Sequence, residues 1–284
     1  MKYIPHCLLS LALLAGQPAL VCAEDANTAT ANAEQSRTKA NHNGARRSGA
    51  VNFSSRYQNF SIERAYQLQR AFVHNQVRQG ARMVGFKAGL TGVGEAQKFG
   101  LDEPLTGVLI HPPKVGENIV INRQYAQGLM LELELVFKLA ETVDRSLEMA
   151  ELRQKVAAVA PAIELPDLNF TGENFTGLDV IANNAMAYKS IVGEWQSIDD
   201  LDLDAIEVSL ACDGDLLVEG KASNAMGSQW QALLWMVNHL VSHGYSIQPG
   251  QILMTGTLTG ILPAEPCDYV ADYAELGMLT FTIE

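Results

Sequence analysis

The sequence predicts an α+β fold built mainly from antiparallel strands. Three observations carry that expectation. Residues 228–244, SQWQALLWMVNHLVSHG, hold apolar groups at helical spacing. Short strand-like segments surround this helix on both sides. Residues 129–140, LMLELELVFKLA, alternate with the two-residue period of a strand. One strong helix among many short strands is an α+β pattern, and the chain carries no internal repeat.

The first 23 residues, MKYIPHCLLSLALLAGQPALVCA, stand apart from that fold. A lysine near the start, an apolar run from Cys7 to Ala15 and small residues at Val21 and Ala23 predict a signal peptide cleaved after Ala23. The run is too short to span a bilayer, so the expectation is a secreted, periplasmic protein with no membrane partner after cleavage. Residues 24–52 are small, polar and nearly free of large apolar groups, and are expected to form a flexible linker. One folded domain is expected over 53–284.

Within that domain SIERAYQLQRAFVHNQVRQG, residues 61–80, predicts a helix. Ser61 can cap it, Glu63 sits in its first turn and Gly80 can stop it. Ile62, Ala65, Leu68, Phe72 and Val77 form its apolar face. Residues 82–110 are rich in glycine and turns. The glycines at 85, 89, 92 and 94 lack the context of a phosphate-binding loop. The alternating strand 129–140 comes next, then strands over 158–165, 205–212 and 215–220. The long helix follows, with Trp230, Leu233, Leu234, Val237, Leu240 and Val241 inward and Gly244 at its end. Strands at 251–255, 268–273 and 278–283 close the chain.

The chain has 284 residues, 48% of them apolar and 18% charged, enough to build a real core. Acids outnumber bases 32 to 20, a net charge of −12. No basic excess exists to neutralise phosphates, which argues against a nucleic-acid partner and equally against an anionic membrane surface. After signal cleavage only Cys212 and Cys267 remain. They either pair, contributing roughly 4 kcal/mol through loop closure, or stay free. No CxxC or close Cys/His cluster supports a zinc site.

The chemistry candidates are few. On strand 129–140 Leu131, Leu133 and Leu135 share one face, while Glu132 and Glu134 share the other, roughly 6–7 Å apart. A half-solvated strand shows the same alternation, so two readings stand open: a wet face, or two carboxylates aimed at one cation. Glu164 ends an apolar run in AVAPAIELPD, costly company for a charge without a partner. Were the three to converge, one would protonate unless a cation sat between them, and hard divalent cations take such oxygen ligands. Spacing alone leaves that convergence open. Lys87, among glycines and apolar residues in VGFKAGLT, either reaches solvent or serves a substrate. The histidines sit in no triad, and His239 and His243 read as surface or boundary residues.

Five blocks then occur in order: VGFKAGLTGVGEAQKFGLDEPLTGVLI, LELELVFKL, PAIELPD, IANNAMAYKSIVGEW and PGQILMTGT. Together they resemble the 2-keto-4-pentenoate hydratases and 4-oxalocrotonate decarboxylases of the fumarylacetoacetate hydrolase superfamily, over roughly residues 55–284. The resemblance implies a mixed β-roll or sandwich of the fumarylacetoacetate hydrolase C-terminal-domain type, with helices packed around it. It implies Mg²⁺ or Mn²⁺ held by Glu132, Glu134 and Glu164, and Lys87 as the catalytic lysine. It also implies substrate contacts from Thr91, Asn184, Gly256 and Thr257. The substrate it implies is a small 2-oxo or 2-hydroxydienoic acid of ring-cleavage catabolism, and a homo-oligomer is the default assembly.

The expected activity is that of a hydro-lyase, adding water to a 2-hydroxydienoic acid to give a 4-hydroxy-2-oxo acid. Decarboxylation of a 2-oxo-enedioic acid is the alternative, and a non-catalytic binder of metal and keto acid is another. Departures from the family pattern keep these alternatives open. Leu105 stands where many hydratases carry an acid, the D-N-A-S block reads Asn183-Asn184-Ala185-Met186, and N-P before the long helix reads Asn224-Ala225.

Overall fold

The computed structural model describes residues 49–284 apart from Thr171 and Glu173. The expected signal peptide and most of the expected linker lie outside the described residues. Among the described residues, packing extends to positions before Phe53. Ala50 and Val51 are buried, and the Asn183 amide holds both the N–H and the carbonyl of Val51.

Five helices and twelve strands run in the order α1 (Ile62–Arg78), β1 (Gly85–Gly89), α2 (Glu95–Lys98), β2 (Leu105–Leu109), β3 (Ile119–Ile121), β4 (Met130–Leu139), α3 (Met149–Lys155), β5 (Val156–Leu165), α4 (Gly177–Ala182) and β6 (Lys189–Val192) among the described residues. They continue with β7 (Glu207–Cys212), β8 (Asp215–Lys221), α5 (Gln229–Ser242), β9 (Ile252–Met254), β10 (Leu262–Pro263), β11 (Cys267–Asp272) and β12 (Met278–Ile283). One sheet has the order β2-β1-β9-β4-β5-β6, with β10 also on β4; a five-stranded sheet has the order β3-β12-β11-β7-β8. Pairing is antiparallel except between β1 and β9 and between β12 and β3, as the α+β expectation requires.

The main core lies between the inner faces of the two sheets and against α5. Leu131, Leu133, Leu135 and Phe137 of β4 enter it together with Tyr269, Phe281 and Ile283 of the second sheet. That uses one side of the alternating strand. The other side of the first sheet carries a smaller apolar patch, Val136, Ala160, Ala162 and Met254, which forms the ground beneath the acids. A third cluster packs α1 on α4 around Phe53, Leu68, Leu101 and Ile181. Cys212 and Cys267 form a disulfide across β7 and β11, settling the choice the sequence left open.

Both long helices bury a stripe rotated from the expected one. In α1 the buried residues are Ala65, Tyr66, Leu68, Gln69, Val73 and Gln76, while Val77 is exposed. Gln69 is inside because its amide donates to the carbonyls of Thr106 and Ile181, a use of burial that hydrophobic spacing does not reveal. In α5, Leu233, Val237 and Leu240 are buried as expected, but Ala232, Met236 and His239 join them, whereas Trp230, Leu234 and Val241 only flank the core.

His239 is therefore not a surface residue. Its Nε2 lies 3.0 Å from the Tyr66 hydroxyl, and its ring stacks on His243 at 4.2 Å. Burial, then the neighbouring His243, pulls its pKa down to about 3, so it stays neutral although Glu103 lies 3.8 Å from Nδ1. The unfolded chain takes up this proton below about pH 6.5 and the folded one does not, so stability falls as pH drops from 6.5 towards 3. One such proton corresponds to a slope of about 1.4 kcal/mol per pH unit. Urea midpoints between pH 6 and pH 4 should show a shallower slope in His239→Gln than in the wild type. Equal slopes would remove His239 from the acid sensitivity.

Candidate metal centre

The register of β4 and β5 assembles the acids. Glu132 pairs directly with Glu164 across the strands, and Glu134 follows two residues along β4 on the same face. Lys87 shares that face, because β1, β9 and β4 align Lys87 with Met254 and Met254 with Val136. The wet-face reading of LMLELELVFKLA does not hold. Glu134 and Glu164 are fully buried, while Glu132 is partly exposed at the floor of a cavity of about 640 Å³.

Carboxylate oxygens of the three glutamates lie within 4.8 Å of one another. Lys87 Nζ donates to Glu164 at 2.5 Å and to the Ala185 carbonyl at 3.3 Å. The Gly256 N–H donates to Glu134 at 2.7 Å. One oxygen of Glu134 and one of Glu164 are buried with no hydrogen-bond partner. Burial, offset in part by Lys87 and reinforced by Glu164, pushes the Glu132 carboxyl up to about 8. Burial, then Glu164 and Glu132, raises Glu134 well above the usual carboxylate range. Lys87 is raised: burial opposes its charge, but the three acids outweigh it.

Three acids thus face one ammonium, and two carboxylate oxygens lack a donor. A divalent cation fits: it supplies the missing charge and accepts the unpartnered oxygens. An all-oxygen set suits a hard ion of the Mg²⁺ or Mn²⁺ kind. Among the described residues one other group could be considered for a metal, Cys212, Asp213 and Cys267, but its cysteines form the disulfide and offer no thiolate.

The other expected site residues divide. Thr91 lines the cavity, and its buried hydroxyl oxygen has no partner. Thr257 also lines it, with its hydroxyl donating to the Gly260 carbonyl. Gly256 sits behind them at φ +103°, where an added Cβ would fall 2.0 Å from the Thr91 hydroxyl; only glycine allows this approach. Asn184 does not reach the cavity. Its amide is spent on the N–H and carbonyl of Val108, at 2.9 and 2.8 Å. It is a clamp: Asn184, Ala185 and Met186 all have φ between 51° and 58°, a left-handed run that costs roughly 1–3 kcal/mol per residue. That run turns the Ala185 carbonyl onto Lys87 and Met186 into the cavity.

The departures from the family pattern also divide. Asn183 faces Val51 and Asp179, where its Nδ2 donates to two carbonyls, which an aspartate could not do. Leu105 and Met186 both line the cavity. Sequence reasoning missed Phe99, Leu168, Phe175 and Val180 in the same wall. The aromatic pair in LNFTGENF was the visible signal, since Phe170 and Phe175 stack at 4.3 Å.

Residues 101–284 match the fumarylacetoacetate (FAA) hydrolase C-terminal family. Among curated proteins, a 4-oxalocrotonate decarboxylase of Pseudomonas sp is 26% identical over 223 residues, 78% of this chain and 87% of that protein. A 2-keto-4-pentenoate hydratase of Paraburkholderia xenovorans (strain LB400) is 26% identical over 214 residues, 75% of this chain and 80% of that protein. Among solved structures, the 4-oxalocrotonate decarboxylase from Pseudomonas putida G7, complexed with magnesium and adipate, has a similar fold. The TM-score is 0.81 at 20% identity, over 91% of this chain and 97% of that one.

Proposed function

The chain belongs to the fumarylacetoacetate hydrolase C-terminal family, and on that premise we propose that it is a divalent-metal-dependent hydratase of 2-hydroxydienoic acids. The observation that carries the reading is the pair of buried, unpartnered oxygens of Glu134 and Glu164 beside Glu132, at the floor of a largely apolar cavity. Glu132, Glu134 and Glu164 would hold Mg²⁺ or Mn²⁺. A cation bound there supplies Lewis acidity, polarising the substrate's C2 oxygen.

The protein's own groups do the rest. Thr91 has a free buried hydroxyl for the substrate carboxylate, and Thr257 lies beside it. Lys87 lines the cavity with two N–H bonds committed, to Glu164 and Ala185, which leaves its third for the substrate. In net terms C5 gains a proton as the C2 hydroxyl loses one. Water then adds its hydroxyl to C4 and its proton to C3, giving a 4-hydroxy-2-oxo acid. Lys87 is the group we assign to proton movement. Export to the periplasm belongs to the same reading, supported by the Cys212–Cys267 disulfide, a bond that persists in oxidising compartments. Self-association does too, supported by Val120, Val270 and Met278, exposed on the outer face of the second sheet.

The test follows the diene absorbance of 2-hydroxypenta-2,4-dienoate with the purified protein. Loss that EDTA abolishes and Mg²⁺ restores is the expected result. No loss, with CO₂ released from 4-oxalocrotonate, would replace hydration by decarboxylation. Neither reaction, with Mg²⁺ still bound, would leave a non-catalytic binder.

A further inference from the structure

Resting on the hydratase reading, we propose that the substrate is a monocarboxylic 2-hydroxydienoic acid with a bulky apolar group, such as a phenyl ring, at its far end. The cavity of about 640 Å³ is in the range of pockets that hold drug-sized ligands, far more than a five-carbon acid fills. Beyond the acids one part of its lining is apolar, Phe99, Leu105, Leu168, Phe175, Val180 and Met186, and a polar part, Ser223, Asn224, Thr257 and Thr259, carries no charge. Phe175 is half-buried and stacks on Phe170 at 4.3 Å and Phe99 at 6.0 Å, so the two cavity-lining rings, Phe99 and Phe175, form an aromatic stretch of the wall. Val93 and Ile261 extend the apolar surface to the exposed mouth.

The charges point the same way. Among the described residues, the ionisable ones lining the cavity are Lys87, Glu132 and Glu95. Lys87 is paired with Glu164 on the floor, and Glu95 is an acid, paired with Lys98 at 2.6 Å. A second carboxylate at the far end would meet no free cation among the described lining residues, and against the apolar part of the wall it would lose its water. Leu105 and Met186, two of the positions that depart from the family pattern, are both in this wall. Their substitution trades polar lining for tail-binding surface.

Saturated 2-oxo acids report binding without turnover. Titration calorimetry of the Mg²⁺-loaded protein would compare 2-oxopentanoate, 2-oxohexanedioate and 2-oxo-6-phenylhexanoate. The phenyl compound should bind at least tenfold tighter than 2-oxopentanoate, and the dicarboxylate no tighter than it. In Phe175→Ala the ratio of the phenyl and pentanoate affinities should fall towards one. Mg²⁺-dependent binding of 2-oxopentanoate with no gain from phenyl, or with the dicarboxylate tightest, would overturn the tail assignment alone. No Mg²⁺-dependent binding of any of the three would overturn the site reading together with it.

Discussion

Glu134→Gln is expected to lose Mg²⁺ binding in calorimetry and to lower kcat/KM for the dienoate by about 10³-fold or more. A bound cation supplies several kcal/mol of transition-state stabilisation, and each 1.36 kcal/mol is a factor of ten in rate. Glutamine keeps the shape of the side chain, and its carbonyl can still accept from the Gly256 N–H that Glu134 engages at 2.7 Å. It removes only the charge. The metal-free protein should then be as stable as the wild type at pH 8, or more so. Burial and the neighbouring acids already press Glu134 towards its neutral form, so an isosteric neutral residue relieves a cost instead of adding one. Loss of activity together with retained or raised stability separates a metal ligand from a packing residue. Turnover within tenfold of the wild type would take Glu134 out of the metal site.

The strands were legible because their signal is local. Alternation in LMLELELVFKLA gave both the strand and its two faces, and the segments after residue 200 stand close to where their patterns put them. The site was legible only through resemblance. Glu132 and Glu164 are 32 positions apart, and what joins them is the cross-strand register of β4 and β5, a long-range choice that side-chain spacing does not encode. Lys87 reaches the same face through a third strand, β9, from the far end of the chain. Asn184 shows the limit of carrying roles across by position: the residue matches the family block, yet its amide is consumed by Val108. The helix stripes were placed only in part, for a related reason. Gln69 and His239 are buried to satisfy polar partners, and hydrophobic periodicity scores such residues as outward.

Lys87→Met should separate stability, metal affinity and turnover. The methionine retains most of the stem that packs against Gly107 and Gly89, so the change is mainly the loss of one buried positive charge. Without it Glu164 loses its 2.5 Å partner and three acids remain face to face. Breaking a buried pair from one side costs roughly 3–5 kcal/mol, which chemical denaturation of the EDTA-treated protein would read. The double variant Lys87→Met/Glu164→Gln should recover much of that loss, because the stranded charge is gone. Mg²⁺ should respond in the opposite sense. With no ammonium competing for the carboxylates, the single variant should bind the ion more tightly than the wild type. Turnover should nevertheless fall by about 10²–10⁴-fold, the contribution usual for a positioned proton-transfer group. Tighter metal with lost activity is the pattern that a merely structural lysine would not produce. A fall of less than tenfold in kcat would remove Lys87 from the chemistry and leave it only the task of balancing the acids.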